Sequence, residues 1–211
     1  MATVVKRKRT YNATLRQEQA QMTRTRILDA ARRLLTAGTY SSVTMEQIAQ
    51  EAGVSSQTVY AVFGNKLRLA QEIIEVGFHF EGLEELDARI VESSDPEALL
   101  RGAAEISRRI YETCADLLRF LRESGDPQLL ARYNANQDLR LTRETFLPAA
   151  LEKSGRLRAG LSPAEVLAVI WAMTASDLYS MLVFERGWTP ARYEDWLGLA
   201  LTSLLLTPQL D

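Results

Sequence analysis

A run of side chains around residue 57 can donate and accept hydrogen bonds without carrying charge. These residues are Ser55, Ser56, Gln57, Thr58 and Tyr60. Such groups can read base edges, because a glutamine can pair with adenine through two hydrogen bonds and a threonine can contact a thymine methyl. Arginines and lysines precede them in the sequence. The pattern favours DNA recognition in which charge supplies general affinity and the uncharged face supplies discrimination.

Short helices separated by a tight turn are predicted to position these side chains. Thr44 and Gln47 have the spacing of a capping box that opens one helix, and Gly53 ends it. Ser55 is a favoured N-cap for the next. The inward positions recur at helical spacing: Met45, Ile48, Ala49, Ala52, Val59, Val62 and Phe63. We therefore predict a helix-turn-helix over residues 44–63, whose second helix enters a major groove.

Charge is distributed unevenly along the chain. The formal net charge of the 211 residues is −2, but residues 1–70 carry +7 and residues 71–211 carry −9. A basic first third favours contact with a polyanion. Residues 1–13 are interpreted as a flexible basic arm, whose Lys6–Arg9 segment either lies along phosphates or in a minor groove or is an inert tail.

The composition argues against catalysis. The chain has one cysteine, Cys114, and one histidine, His79, which are too few for a typical structural zinc site. It has neither a His-Glu-x-x-His motif nor a glycine-rich phosphate loop. We therefore expect no enzyme activity, no cofactor and no metal. No run approaches the roughly 18 apolar residues of a membrane span, so we expect a soluble cytoplasmic protein that does not enter a membrane.

The whole chain is predicted to be helical. A first helix covers residues 14–37 and a fourth begins at Lys66, and longer helices open at prolines 96, 127, 163 and 190. The helix that opens at residue 127 is expected to bend near Pro148. The predicted fold class is all-α: a three-helix helix-turn-helix head over residues 14–77, joined to a larger helical-bundle body over residues 78–211.

The order of residues in the head resembles that of TetR-like transcriptional regulators. The resemblance is carried by Thr44-Met45-x-x-Ile48-Ala49-x-x-Ala52-Gly53-Val54-Ser55-x-x-Thr58-Val59-Tyr60-x-x-Phe63-x-x-Lys66. It implies a homodimeric regulator, most often a repressor, that binds a palindromic operator in the nucleoid and is released by an effector in the body. The residues expected to contact double-stranded DNA are Thr44, Ser55, Ser56, Gln57, Thr58, Tyr60 and Lys66.

This sequence departs from the family pattern at a few positions. Ala61 and Val62 stand where many members have an aromatic residue or histidine, and Gly64 replaces a common lysine. These departures keep an alternative open, in which the protein binds a small molecule or a partner and has lost sequence-specific DNA binding.

The C-terminal helices are predicted to pair with those of a second copy. Residues 166–173 are apolar on every side, which requires burial on more than one face, and the last helix repeats apolar residues in register. A filled monomer core is the alternative. The expected interface residues are Val169, Met173, Trp196, Leu197, Leu201 and Leu204.

The resemblance also implies an effector pocket in the body. Large side chains are abundant there, although most would serve a core equally well. We expect a small apolar or amphipathic effector, with these lining residues: Phe120, Tyr133, Phe146, Trp171 and Tyr179.

Overall fold

The computed structural model describes residues 2–80 and 82–208, with side chains from Leu15 onward. Within these ranges the chain is helical apart from its loops and an isolated antiparallel bridge between Leu157 and Leu206. The predicted all-α fold class is therefore confirmed. Contacts divide the chain into compact units, Met1–Val76 and Gly77–Asp211, which we call the head and the body.

The head is built from α1 (Ala2–Ala37), α2 (Met45–Ala52), α3 (Ser56–Phe63) and α4 (Lys66–Gly77). Its core comes from apolar residues on each helix, all less than 5% exposed: Ile27, Leu35, Ile48, Val59, Phe63, Leu69 and Ile74. The short helices α2 and α3 therefore depend on packing against α1 and α4, because an isolated helix of eight residues is unstable in water.

The first helix begins earlier than the sequence suggested. It starts at Ala2 rather than near residue 14, which differs from the predicted flexible arm. The segment contains no glycine or proline that would interrupt a helix. The side chains of Lys6–Arg9 lie outside the described residues.

The body contains α5 (Leu83–Val91), α6 (Pro96–Glu123), α7 (Pro127–Glu144), α8 (Leu147–Lys153), α9 (Pro163–Met173) and α10 (Ser176–Tyr179). A π-helical turn (Ser180–Glu185) and α11 (Pro190–Leu205) complete it. The predicted starts of α6, α7, α9 and α11 are confirmed, since each has a side-chain N-cap followed by proline. The capping residues are Asp95, Asp126, Ser162 and Thr189.

Helix α6 is the centre of the body. Its buried face includes Leu99, Leu117 and Leu121, and α11 packs along it. The packing is close, since a Cβ added at Gly198 of α11 would lie 3.3 Å from Arg101 Cγ. Arg108 of α6 is ion-paired with Glu194 of α11 and with Glu112 at 2.8 Å.

Some body elements differ from the prediction. Helix α5 was not predicted. The helix from Pro127 ends at Glu144 and a separate helix, α8, begins at Leu147, whereas a single bent helix was expected. The helix from Pro163 ends at Met173, whereas the sequence predicts an end just before Gly187. Just after this end, the hydroxyl of Tyr111 donates to the carbonyl oxygen of Thr174 at 2.6 Å. In a continuous helix that carbonyl would accept from a backbone N–H instead.

The stretch Pro163–Glu185 is, by length and composition alone, apolar enough to cross a membrane, and only 22% of its most apolar window is buried. This differs from the expectation that no such stretch exists. However, its helix is interrupted after Met173, and Asp177 in its second half is paired with Arg122 at 2.5 Å. Charged groups are costly inside a bilayer, so we interpret the apolar surface of this stretch as a packing surface.

Candidate functional site

The helix that carries the uncharged polar residues is fixed at its start by its own side chains. Ser55 Oγ accepts a hydrogen bond from the Thr58 backbone N–H at 3.1 Å and lies 2.8 Å from Thr58 Oγ1. Val59 and Phe63 anchor the inner face of α3 and are 0% and 4% exposed. Ser55 thus has the predicted N-cap role, and its hydroxyl is already engaged with Thr58.

The outer face of α3 presents its polar groups to solvent. Gln57 is exposed and makes no hydrogen bond with another described residue, while Ser56 and Thr58 are half-buried. Tyr60 is 46% exposed, and its hydroxyl donates to Glu46 Oε1 at 3.4 Å. Val62 was predicted to face inward but is 38% exposed, because it lies at the edge of the stripe set by Val59 and Phe63.

Helix α2 and the turn after it set the position of α3. The predicted capping box is confirmed: Thr44 Oγ1 accepts from Gln47 N–H at 3.2 Å, and Thr44 N–H donates to Gln47 Oε1 at 2.8 Å. Gly53 has φ of 65° and ψ of 37°, a left-handed conformation that glycine adopts without the steric cost of a Cβ. These local features fix the angle at which the chain enters α3.

Lys66 has a structural contact that the sequence did not indicate. Its ammonium donates to the carbonyl oxygens of Tyr40 at 2.7 Å and Val43 at 2.8 Å, and it lies 4.3 Å from the centre of the Tyr40 ring. The side chain therefore holds the loop that leads into Thr44. An ammonium has three donors, so a contact between Lys66 and DNA stays a prediction that depends on the remaining one.

Some basic residues of the head are ion-paired within it, and others are exposed to solvent. Arg33 is paired with Glu51 at 3.0 Å, and Arg24 is paired with Glu72 and lies over the Phe63 ring. Arg68 is exposed, and its guanidinium lies beside the end of α3, since a Cβ added at Gly64 would be 3.8 Å from Arg68 Nη1. Sequence reasoning missed Arg68, although its position two residues after Lys66 on a short helix could have indicated it.

The body contains two partly open pockets, which we call the inner and the outer cavity. The inner cavity has a volume of about 200 Å³ and lies among α5, α6, α7 and α8, and the outer one has about 530 Å³ and extends to residues 78–80. Both are lined by Asp87, Ile110, Tyr111, Arg140 and Arg143. The shared lining makes the cavities adjacent.

A buried polar network lies at one side of the inner cavity. Arg140 Nη1 donates to the Trp171 carbonyl oxygen at 2.9 Å and to Thr174 Oγ1 at 3.0 Å. The Thr174 hydroxyl in turn lies 2.8 Å from Glu144 Oε1. Burial raises the pKa of Glu144, against the opposing effects of the Thr174 hydrogen bond and the nearby Arg140. Arg140 Nε and Glu144 Oε2 are buried without a hydrogen-bond partner among the described residues.

Residues 27–73 of the chain match a family model described as bacterial regulatory proteins, tetR family. The head is therefore similar to the tetR family over this segment. The match includes the capping box, the Gly53 turn and all of α3, so the residues that build the exposed polar face lie inside the matched segment.

Curated relatives match only part of the chain. HTH-type transcriptional regulator AlkX of Mycobacterium tuberculosis is 44% identical over 45 residues, which are 21% of this chain and 21% of AlkX. HTH-type transcriptional regulator AcrR of Shigella flexneri is 37% identical over 84 residues, which are 40% of this chain and 39% of AcrR. The matches thus span well under half the length of either relative.

A solved structure extends the similarity to the body, as a similarity of fold alone. NalD, described as the secondary repressor of the MexAB-OprM multidrug efflux pump in Pseudomonas aeruginosa, has a TM-score of 0.64 and 24% identity. The alignment covers 91% of this chain and 100% of NalD. The fold, a short-helix head followed by a helical body, is therefore shared.

The predicted pocket residues of the body do not share one site. Phe146 lines the inner cavity. Tyr179 instead packs in an aromatic core with Tyr111 and Tyr193, because its face of the chain turns towards α6 and α11. The other predicted residues line neither cavity: Phe120 is buried, Tyr133 lies beside Arg122, and Trp171 is stacked against Arg140.

The predicted interface residues differ in how exposed they are. Leu197 and Leu201 are 0% exposed within the single chain, so their assignment to a partner surface was wrong: they face α6. Leu204 is 48% exposed, and Val169, Met173 and Trp196 are half-buried. Sequence reasoning missed further exposed apolar side chains nearby: Met181, Phe184 and Leu199.

Proposed function

We propose that the chain is a homodimeric, ligand-responsive transcriptional regulator, most often acting as a repressor, that binds a palindromic DNA operator through α3. The observation that carries the proposal is the face of α3 inside a TetR-family head: Gln57 is exposed and has no partner among the described residues. A helix that offers an unengaged amide and small hydroxyls can approach base edges in a major groove, which admits one helix.

We infer the remaining contacts from the positions of the side chains. Ser56, Gln57 and Thr58 meet base edges or adjacent phosphates, and Ser55 contributes mainly by fixing the start of α3. Thr44, at the start of α2, and Tyr60, on α3, are both exposed, so their hydroxyls can donate to phosphate oxygens. The exposed guanidinium of Arg68 adds a phosphate contact beside the end of α3, while Lys66 acts chiefly through the loop it holds.

A second copy of the chain is proposed to cover the apolar surface of the C-terminal helices. Trp171, Met181, Phe184 and Leu199 are between 39% and 67% exposed and lie on elements that pack against α11 or belong to it. Large exposed apolar surface of this kind marks interaction sites. Together with Val169, Met173, Trp196 and Leu204 they form the proposed partner surface. A two-fold pair presents two α3 helices about 34 Å apart, which is one turn of DNA.

Regulation is proposed to act through α4. The residues that follow this helix directly, Phe78, His79 and Phe80, line the outer cavity. A ligand that displaces them moves the end of α4 and thereby changes the spacing of the α3 pair. A coupling of about 1–3 kcal/mol would lower operator affinity about 5- to 150-fold. Such a regulator works in the cytoplasm, at the nucleoid.

The test is selection of bound sequences from a random pool of duplex DNA by the purified full-length chain. We expect a palindrome whose half-sites are centred one helical turn apart, together with a dimer in sedimentation. Failure to enrich any palindrome at low salt would contradict the proposal. It would favour a ligand- or partner-binding protein without sequence-specific DNA binding, to which the exposed Ala61 and Val62 on α3 would be suited.

A further inference from the structure

The inner cavity is lined mainly by apolar side chains. Aliphatic and aromatic groups from α5, α6 and the start of α8 form most of its wall. Apolar surface that lies against water gains free energy when a ligand covers it, so the wall favours a ligand that presents carbon atoms. The apolar lining residues include Ile90, Val91, Ala103, Ile106, Phe146 and Leu147.

The hydroxyl groups on the lining are already bonded within the protein. Ser107 Oγ donates to the carbonyl oxygen of Ala103 at 2.8 Å, and the Tyr111 hydroxyl donates to the carbonyl oxygen of Thr174 at 2.6 Å. Each hydroxyl has a single proton to donate. Neither of them can therefore donate to a ligand without giving up its present bond.

The charged side chains on the lining are balanced in pairs. Asp87 of α5 is ion-paired with Arg143 of α7, and Arg140 and Glu144 both bond to the Thr174 hydroxyl. Arg140 Nε and Glu144 Oε2 have no partner among the described residues, but protein atoms enclose them and keep them out of reach of a ligand. A charged ligand would have to compete with one of these groups for its counter-charge, which is costly away from water. The lining therefore favours an uncharged ligand.

The volume of the cavity limits the size of the ligand. A cavity of about 150 Å³ lined by leucine, isoleucine and phenylalanine stays dry and binds benzene. The inner cavity is partly open and has about 200 Å³, so it admits a six-membered ring with a few additional carbon atoms. A longer chain would extend into the adjacent outer cavity, whose lining also includes Glu84, Arg132 and Asn136.

We propose that the inner cavity binds a compact uncharged hydrocarbon of the alkylbenzene class through apolar contacts alone. The inference deepens the proposed function, because it identifies the chemical class of the effector, and it rests on that function only for its regulatory meaning. Ile110 and Tyr111 line both cavities and join this site to the outer cavity, which residues 78–80 line. The binding step itself requires no DNA.

Calorimetric titration of the full-length protein at neutral pH tests the chemical class. The probes have the same number of non-hydrogen atoms and differ only in their terminal group: n-propylbenzene, 2-phenylethanol and the cation 2-phenylethylammonium. We expect one n-propylbenzene to bind per chain, about tenfold or more tightly than 2-phenylethanol, because the hydroxyl loses its bonds to water without gaining a partner. The ammonium should show no saturable binding. Equal or tighter binding of either polar probe would overturn the proposal.

A series of chain lengths tests the limit on size. From toluene to n-propylbenzene, each added methylene should raise the affinity about fourfold, as expected for complete burial. From n-propylbenzene to n-hexylbenzene the gain per methylene should be less than half of that, because the chain then leaves the inner cavity for a more polar surface. A constant gain up to n-hexylbenzene would contradict the assignment to the inner cavity.

A substitution that fills the cavity locates the site. Ala103→Leu on α6 adds carbon atoms where the ring is proposed to lie, and it should weaken the binding of n-propylbenzene about tenfold or more, because close-packed side chains leave no second space for the ring. The matched control is Ala131→Leu, since Ala131 is exposed on α7 and lines neither cavity. The control should bind as the wild type does. Binding that is undiminished in Ala103→Leu would contradict the proposed site.

A substitution that enlarges the cavity gives an independent test if Ala103→Leu does not fold. Ile106→Ala removes carbon atoms from the wall and leaves space that a larger ligand can fill. The affinity of n-hexylbenzene relative to n-propylbenzene should rise about threefold or more over that of the wild type. An unchanged ratio would show that Ile106 does not bound the ligand site.

The ligand inference and the regulator proposal can fail separately. If the protein selects a palindrome but does not prefer the hydrocarbon, the ligand class is wrong and the regulator stands. If the hydrocarbon preference is present and no palindrome is selected, the site is correct and the DNA-binding proposal is wrong.

Discussion

In the head, the hydroxyl and amide groups of α3 lie at the surface while Val59 and Phe63 hold the helix in place. In the body, the polar groups of Arg140, Glu144 and Thr174 are enclosed between helices and satisfy one another only in part. The same classes of side chain therefore have different energetic roles in the two regions. Changing an exposed group alters what the head can bind, whereas changing an enclosed group alters whether the body is stable.

This difference bears on how each region can change its specificity. A surface substitution away from caps and packing contacts usually changes stability by less than about 0.5 kcal/mol. Removal of one member of a buried network leaves the others unsatisfied and costs more. We therefore expect binding and stability to be separable in the head and coupled in the body.

The largest expected effect is that of Arg140→Met in the body. The substitution leaves the buried Glu144 carboxylate without its counter-charge, and we expect a loss of about 3–5 kcal/mol in the free energy of unfolding. Urea titration followed by circular dichroism measures it. Arg132→Met is the matched control, because Arg132 is exposed on the same helix, and it should cost less than about 0.5 kcal/mol. Similar losses in the two variants would contradict the view that the enclosed polar groups of the body stabilise the fold more than exposed ones do.

The next effect concerns the head, where Gln57→Ala should weaken binding without affecting stability. Loss of a two-bond contact with a base costs about 1–3 kcal/mol in operator affinity, while the free energy of unfolding should stay within about 0.5 kcal/mol. Fluorescence anisotropy with the selected operator measures the affinity. Gln50→Ala changes an exposed glutamine on α2 and should alter neither quantity. A loss of stability in Gln57→Ala comparable to its loss of affinity would show that the exposed face is structural.

The head was predictable from the sequence because its determinants are local. The capping box joins Thr44 to Gln47, and the N-cap joins Ser55 to Thr58, each over three residues. The exception is Lys66, whose partners Tyr40 and Val43 lie 26 and 23 residues away. No local pattern indicates a contact of that length, so the residue was assigned to DNA alone.

The body site was not predictable for the same physical reason. Arg140 meets Thr174 across 34 residues, and Arg143 meets Asp87 across 56. Helix α5 was missed because it is short and its N-cap position is occupied by Gly82, which has no side chain to cap the helix. Large apolar residues were considered as pocket walls, but their type does not distinguish a wall from a packed core, as the buried Tyr179 illustrates.

One glycine in the head and one in the body are required for different physical reasons. Gly53 in the head has φ of 65° with open space around it, whereas a Cβ added at Gly102 in the body would lie 2.5 Å from Ile90 Cγ1. We expect Gly53→Ala to cost about 1–2 kcal/mol through its left-handed backbone, and Gly102→Ala to cost a comparable amount through overpacking. Chemical denaturation measures both.

A second substitution separates these causes. In an Ile90→Ala background, the loss from Gly102→Ala should shrink, because the clashing side chain is gone, and the loss from Gly53→Ala should stay the same. Equal losses from Gly102→Ala in both backgrounds would mean that space at the contact between α5 and α6 is not the constraint.

The smallest effect is a dependence on pH that distinguishes an enclosed acid from an exposed capping acid. Burial raises the pKa of Glu144 above its ordinary value of 4.5, so the folded chain retains a proton that the unfolded chain releases, and stability falls as pH rises through that interval. Hydrogen bonds from Ser162 lower the pKa of Glu165 below the same ordinary value of 4.5, and there stability is lost as pH falls through the lowered pKa. Relative to the wild type, Glu144→Gln should therefore become more stable with rising pH and Glu165→Gln less stable, as measured by thermal unfolding across the acidic range. Trends of the same sign in both variants would contradict this account, because only an enclosed carboxyl gains its proton more readily on folding.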